Sequence, residues 1–307
     1  MVRKPDVDAT AVDALLQQVF GTSVTWQRTL DGVSAQVYRV LHGPETFYLR
    51  IAEEPDDNLQ TDAELHQRLR DLGVRVAEPI HVEPFNAGIG RSTMITTEVP
   101  GTSLAETPTI DAAVVEAAGA DLAVLNQQPV DGFGWVRRRG RRWPLHAEYP
   151  SYAEFATSYL PSPWPGPLAS LFATPVLDAI EVRIEHERHQ PYAPALLTHG
   201  DFDLTQIFCA DGRYTGLIDF SEIRGAERLF DLGHFYLHDQ AAWLPALLTG
   251  YQRVQPLPAD HLESIRRSAI LLALRQLCRW LGPLNRPPDH PAVIRRTRRI
   301  SQLVAQP

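Results

Sequence analysis

Lysine is almost absent from this chain of 307 residues. Lys4 is the only lysine, and the other 28 basic residues are arginines. This scarcity excludes a GK[ST] phosphate-binding loop, a Schiff-base lysine and an S-x-x-K nucleophile. The chain must therefore work without a lysine in the body of its fold.

Cysteine and long apolar runs are scarce as well. Cys209 and Cys278 are the only cysteines, which excludes a disulfide framework and argues against a zinc site built from cysteines. No run approaches the roughly 18 apolar residues that a membrane span needs. The N-terminal sequence MVRKPDVDAT has no apolar segment behind its charges, so it does not resemble a signal peptide. We expect a cytoplasmic protein that does not enter the membrane.

The charge balance is acidic. With 37 acidic and 29 basic residues, the formal net charge is -8, which disfavours general nucleic-acid binding and suits a cationic small molecule. Arginines cluster in two runs, 137–142 and 295–299. We interpret both as solvent-exposed, the first as the tip of a hairpin around Gly140.

The patterning predicts an α+β fold in two parts. Before residue 100 it predicts helices over 6–20 and 61–72 and strands near 24–26, 35–40, 46–51, 80–82 and 94–98. After the break at Pro100-Gly101 it predicts mostly helices, over 109–126, 151–160, 168–188, 230–249, 259–281 and 291–304. Short apolar runs between 195 and 220 surround Asp211-Gly212, a hairpin signal. We expect an N-terminal lobe over 1–99 and a larger, mostly helical C-terminal lobe over 100–307.

The most informative residues lie in and beside this hairpin. Thr198–Gln206 reads THGDFDLTQ, and Gly216–Phe220 reads GLIDF. The hairpin brings the amide of Gln206 and the carboxylate of Asp219 together, and their oxygens suit Mg²⁺. Asp201 stays free to orient a substrate hydroxyl and accept its proton. This set predicts phosphoryl transfer, which depends mainly on positioning and charge neutralisation.

At these residues the chain resembles the aminoglycoside phosphotransferase family, whose pattern is H-G-D-x-x-x-x-N followed by [LIV]-D-[WF]. The resemblance implies a protein-kinase-like fold with two lobes, a small β-rich one that binds nucleotide and a larger helical one. It implies that Asp201 is the catalytic base, that Asp219 is the principal Mg²⁺ ligand and that Gln206 occupies the second ligand position. It also implies that Asp231 braces the catalytic loop without touching substrate.

The resemblance extends to the N-terminal half. Arg50 stands where protein kinases carry the lysine that contacts the α and β phosphates, and Glu64 on the next helix is placed to pair with it. The turn 30–35 would cover the phosphates, and the segment around residue 98 would hold the adenine edge. The nucleotide-binding residues implied in these two segments are Gly32, Ser34, Glu98 and Val99.

The resemblance thus implies a Mg²⁺-dependent kinase that transfers the γ-phosphate of ATP or GTP to a hydroxyl of a small molecule. An aminoglycoside-type antibiotic is the leading acceptor, which would imply a role in antibiotic resistance. A sugar, a macrolide or an amino alcohol is the alternative. Gln206 replaces the usual asparagine, and this leaves open a nucleotide-binding pseudokinase. His234 and His238 have a spacing that can ligate a metal, but we interpret them as helix-packing residues.

Overall fold

The computed structural model describes residues 6–21, 24–29, 36–139, 143–238 and 241–306. Its strands are short and spread along the chain. They are β1 (Thr25–Arg28), β2 (Gln36–His42), β3 (Glu45–Ile51), β4 (Pro79–Asn86), β5 (Arg91–Thr97), β6 (Thr102–Ser103), β7 (Pro129–Val130), β8 (Phe133–Val136), β9 (Ala147–Tyr149), β10 (Ala195–Thr198), β11 (Ile207–Ala210), β12 (Arg213–Leu217) and β13 (Arg224–Ala226).

The α-helices lie mostly in the second half. They are α1 (Ala9–Phe20), α2 (Gln60–Asp71), α3 (Ala112–Leu125), α4 (Tyr152–Thr157), α5 (Thr174–Arg188), α6 (Phe230–Leu237), α7 (Leu244–Val254), α8 (His261–Leu281) and α9 (Pro291–Ala305). No helix among the described residues has both the length and the apolar character that crossing a membrane requires.

The first part of the chain is an antiparallel sheet of five strands in the order β1-β2-β3-β5-β4. Alternate residues of β2 and β3 are buried, as a sheet with one covered face requires, and Tyr38 and Leu49 pack with Leu16 of α1. The predicted N-terminal strands and helices are therefore all present, within a few residues of their expected bounds.

Helix α2 connects this sheet to the core of the second part. Its Leu65 and Leu69 pack in the same apolar cluster as Leu217 and Phe220, which flank Asp219. The ring of His66, also on α2, lies 5.2 Å from that of Phe220, so this helix packs near the residues that follow β12. The expected lobe boundary at residues 99 and 100 falls between β5 and β6.

The second part contains a sheet that the sequence did not reveal. Strands β7, β10, β13, β8 and β9 form it in that order, and β10 leads into the turn that carries Asp201. All five strands have two to four residues, too few for a readable alternation. In β13, Arg224, Gly225 and Ala226 are all buried, so burial does not alternate along this strand and no residue marks an exposed face.

The predicted hairpin is present as β11 and β12. Asp211 and Gly212 connect the strands with φ values of 49° and 71°, the left-handed conformation that a tight two-residue turn needs. The second strand ends at Leu217, so Asp219 lies just beyond the end of the hairpin.

Two predicted helices were too long. The expected helix over 230–249 is divided into α6 and α7, and Pro245 stands in the first turn of α7. The expected helix over 168–188 is divided into a short 3-10 helix (Gly166–Ser170) and α5, which has Pro175 in its first turn. Proline lacks the amide hydrogen and clashes with the preceding turn, so it begins a helix and does not continue one.

Candidate active site

The turn after β10 carries the predicted base, Asp201. Gly200 adopts φ 86°, a conformation that favours glycine. A Cβ atom at this position would lie 1.9 Å from the carbonyl oxygen of Glu222, so no other residue fits without a backbone shift. The turn therefore fixes the point at which Asp201 leaves the strand.

Asp231 holds this turn from behind. Its buried carboxylate accepts hydrogen bonds from the amides of His199 and Gly200, at 2.8 and 2.9 Å, and from the side chain of Asn126 at 3.0 Å. Asp231 is fully buried, so its carboxylate faces the backbone of the loop and not the solvent. This geometry agrees with the bracing role that the resemblance implies.

Removal of this carboxylate should be costly. We expect Asp231→Ala to reduce the free energy of unfolding by about 2–6 kcal/mol, because it leaves two buried amides without acceptors at about 1–3 kcal/mol each. Asp289→Ala removes an exposed carboxylate and serves as the control. Urea unfolding measures both variants. An Asp231→Ala variant as stable as the control would contradict the bracing role.

His234 of α6 contacts the predicted base directly. Its Nε2 lies 3.2 Å from Oδ1 of Asp201, and its Nδ1 lies 3.1 Å from the carbonyl oxygen of Phe202. Burial raises the pKa of Asp201, but the hydrogen bond and the attraction from His234 outweigh burial, so the net pKa is lowered. Asp201 is therefore ionised at neutral pH. Its side chain is 45% exposed, which leaves it open to a substrate.

The sequence contains a signal for this contact. His234 follows Asp231 by three residues, so both lie on one face of α6 and point at the same loop. His238 stacks on His234 with the ring centroids 4.3 Å apart, and burial lowers its pKa to about 3. The stacking agrees with a packing role for His238, whereas His234 also contacts Asp201, which the packing interpretation did not include.

The predicted metal ligands, Gln206 and Asp219, lie at the end of the hairpin opposite the Asp211-Gly212 turn. The amide of Ile218 donates to the carbonyl oxygen of Gln206 at 3.1 Å, so Gln206 is adjacent to the residue before Asp219. Asp219 adopts φ 58° and is exposed, and its carboxylate accepts a hydrogen bond from the amide of Ser221. His199 fixes the same turn through the carbonyl oxygen of Ile218, at 2.8 Å from its Nε2.

These residues fit a magnesium ion. A carboxylate and a side-chain amide supply hard oxygen ligands, and Mg²⁺ is usually held by one or two protein carboxylates together with substrate phosphates and water. Across the described ranges, no three His, Cys, Asp or Glu side chains form a metal site by themselves. The assignment of Asp219 and Gln206 as ligands stays a prediction.

The predicted pairing of Arg50 with Glu64 is wrong. Nη1 of Arg50 lies 3.2 Å from Oδ1 of Asp62, whereas Glu64 forms an ion pair with Arg68 one helical turn away. Asp62 is fully buried and Glu64 is partly exposed, because two residues along a helix turn the side chain to another face. The carboxylate beside Arg50 is therefore that of Asp62.

The arginine run at 137–142 is not uniformly exposed. The side chain of Arg138 is only 14% exposed and binds Asp62 through Nε, with 3.0 Å to Oδ2. The prediction of a solvated hairpin tip is thus wrong for Arg138. Arg139 is 58% exposed, as expected.

The remaining predicted nucleotide contacts lie partly outside the described residues. Gly32 and Ser34 belong to such a segment. Glu98 and Val99 lie between β5 and β6, where the first sheet joins the rest of the chain. The Glu98 amide donates to the carbonyl oxygen of Thr46, and Val99 is buried. Their contact with adenine stays a prediction.

A small pocket of about 100 Å³ opens beside Asp201. Aromatic rings of Trp135, Tyr149 and Phe155 line it. Six charged side chains share the pocket, three of each sign: Glu148, Asp201, Glu222, Arg224, Arg275 and Arg279. The lining residues come from six separate segments of the chain, so no single stretch of the sequence marks this pocket.

Solved structures with the same architecture identify the fold. Aminoglycoside phosphotransferase APH(4)-Ia, in the apo form of a thermostable mutant, superimposes with a TM-score of 0.67 at 17% identity, over 95% of this chain and 98% of that one. A candidate fructosamine-3-kinase from Thermobifida fusca gives 0.64 at 17% identity, over 96% and 100%. The fold is thus protein-kinase-like, with a small β-rich lobe and a larger, mostly helical lobe, as predicted.

The sequence comparisons define the family. The profile of the phosphotransferase enzyme family matches residues 25–266, and the chain belongs to this family. It is also 28% identical to a homoserine kinase from Azorhizobium caulinodans, over 95% of this chain and 94% of that protein. The chain is therefore a small-molecule phosphotransferase, and the predicted family resemblance is confirmed.

Proposed function

We propose that this protein transfers the γ-phosphate of ATP or GTP to the hydroxyl of a small amino alcohol that also carries a carboxylate, with homoserine as the leading acceptor. The balanced charge of the pocket beside Asp201 carries this proposal. A zwitterionic acceptor presents one charge of each sign, which matches such a pocket.

The geometry supports the following catalytic roles. Asp201 orients the acceptor hydroxyl and takes its proton as the new bond from that oxygen to the γ-phosphorus forms and the bond to the leaving nucleoside diphosphate breaks. Arg50, which is held by Asp62, contacts the α and β phosphates. Asp219 and Gln206 hold Mg²⁺, which when bound neutralises phosphate charge.

Arg279 is the best-placed group to bind an acceptor carboxylate. Arg224 is paired with Glu222 at 2.9 Å, and Arg275 donates to the carbonyl oxygen of Phe155 at 3.0 Å. Within the described residues, Arg279 has no carboxylate partner and lies over the ring of Trp135, with 5.4 Å between its guanidinium carbon and the ring centroid. Its charge is therefore available to a ligand.

The relatives support two acceptor classes. The homoserine kinase of Azorhizobium caulinodans matches this chain over nearly its whole length, which supports an amino alcohol. An APH(4)-Ia structure contains ADP and hygromycin B. The three carboxylates of the pocket beside Asp201 would suit a cationic aminoglycoside, which is the second candidate. The small volume and the three arginines favour the smaller, zwitterionic acceptor.

The test is phosphate transfer from ATP and from GTP, with Mg²⁺, to homoserine, serine, 3-aminopropan-1-ol, hygromycin B and fructose. We expect homoserine to have the highest kcat/KM. Preferential transfer to hygromycin B would establish the second candidate. Transfer to fructose alone would refute both candidates.

The carboxylate contact can be tested separately. We expect Arg279→Gln to raise KM for homoserine by about 10- to 100-fold, because a charged hydrogen bond contributes about 1.5–3 kcal/mol. The variant should leave KM for 3-aminopropan-1-ol unchanged, since that compound lacks the carboxylate. Arg298→Gln, which removes an exposed arginine of α9, is the control. An equal effect of Arg279→Gln on both acceptors would contradict the contact.

A further inference from the structure

Arg138 contacts two separate parts of the candidate nucleotide site. Its Nε lies 3.0 Å from Oδ2 of Asp62, and its Nη2 lies 3.2 Å from Oδ1 of the same carboxylate. Nη2 also donates to the backbone carbonyl oxygens of Phe220 and Ser221, at 2.9 and 3.0 Å. These two residues directly follow Asp219. One guanidinium therefore links helix α2 to the turn that carries the predicted metal ligand.

Asp62 is the centre of this arrangement. It is fully buried and has both Arg138 and Arg50 as partners. Burial raises the pKa of Asp62, but the two guanidinium groups outweigh burial and lower the pKa, so the buried carboxylate is ionised. We call Arg50, Asp62 and Arg138 together the Asp62 bridge.

The Asp62 bridge borders a cleft between the first sheet and the hairpin. Arg50 and Arg138 both line this cleft, whose volume is about 170 Å³, together with Ser221 and Glu222. On one side of Asp62, the carboxylate contacts Arg50 of β3. On the other side, Arg138 contacts the turn after Asp219. The bridge thus connects the proposed phosphate-binding arginine to the proposed metal-binding turn through side chains.

We propose that Arg138 is a positioning residue that sets the distance between Arg50 and Asp219 and so supports binding of the nucleotide with its metal. The proposal rests on the proposed function of this site. Groups that orient metal ligands without touching the metal contribute strongly to metal affinity. Without Arg138, the carbonyl oxygens of Phe220 and Ser221 lose their donor, and Arg50 becomes the sole arginine partner of a buried carboxylate.

The chain offers a matched control in the adjacent residue. Arg139 also pairs with acidic residues of the segment before α2, with 3.4 Å from its Nη1 to Asp56 and 3.5 Å from its Nε to Asp57. It is far more exposed than Arg138. Arg139→Ala therefore removes an arginine from the same loop without removing the contacts to the turn.

The experiment measures binding of Mg–ATP and Mg–GTP by calorimetry, the half-saturating concentration of Mg²⁺, and KM for nucleotide and for acceptor. We expect Arg138→Ala to weaken nucleotide binding and to raise the half-saturating Mg²⁺ by about 10- to 100-fold, with KM for the acceptor unchanged. Arg138→Lys keeps the charge but lacks the fork that reaches both partners, so we expect an intermediate effect. Arg139→Ala should behave as the parent.

The outcomes separate this proposal from the proposed function. A parent protein that binds neither nucleotide in the presence of Mg²⁺ overturns the proposed function and this inference with it. If the parent binds and Arg138→Ala binds equally well, or if the acceptor KM rises as much as the nucleotide KM, the inference alone is overturned. If Arg138→Ala does not fold, Arg138→Lys decides by the same comparison.

Discussion

Replacement of Asp201 by asparagine should reduce kcat by about 10²- to 10⁴-fold, the contribution typical of a positioned general base. Asparagine has the same shape and can still orient a hydroxyl, but its amide cannot accept the proton. Nucleotide affinity should stay within about twofold, because the variant removes a group that acts on the acceptor. Steady-state kinetics combined with calorimetry of nucleotide binding test both parts. An Asp201→Asn variant with the parent kcat would remove this residue from the base role.

The pH dependence follows from the environment of the same carboxylate. The base must be ionised, and contact with His234 lowers the pKa of Asp201 below the ordinary value of 3.8. The acidic limb of the kcat/KM profile should therefore lie below that value in the parent. In His234→Leu, the hydrogen bond is lost while burial continues to raise the pKa, so the limb should move to higher pH. An unmoved limb would show that His234 does not tune Asp201.

The shape of the loop that carries Asp201 could be predicted from sequence because its determinants are local. Gly200 is required by the close approach of the Glu222 carbonyl, and Asp211-Gly212 favour the turn that brings Gln206 near Asp219. The residues that determine these turns are close together in the chain, so their types and spacing are sufficient to predict the turns. The family pattern adds the roles.

The errors concern contacts between distant segments. The choice between Asp62 and Glu64 depends on which face of α2 is covered by the sheet and the hairpin, and both acids suit the start of a helix. Arg138 lies 76 positions from Asp62, and a run of arginines has no internal sign that one member is buried. In contrast, Pro175 and Pro245 did signal the breaks in the two overlong helices, and the apolar periodicity around them obscured that signal.

Replacement of Asp219 by asparagine should also reduce activity strongly. Loss of the carboxylate removes the principal ligand proposed for Mg²⁺, and charge neutralisation by a metal is worth several kcal/mol, so we expect kcat/KM to decrease by about 10³-fold or more. Asparagine tolerates the left-handed conformation of Asp219, and its side-chain oxygen can still accept from Ser221. The urea midpoint should therefore match that of the parent.

Asp211→Asn provides the matched control for this variant. Asp211 is also an exposed aspartate with positive φ, but it lies at the opposite end of the same hairpin. The control should retain full activity and the same dependence on Mg²⁺, whereas Asp219→Asn should need far more Mg²⁺ for its residual activity. Equal kinetics of the two variants would refute Asp219 as a metal ligand. Loss of activity in both variants would assign the effect to the hairpin and not to the metal, because the two positions share only that element.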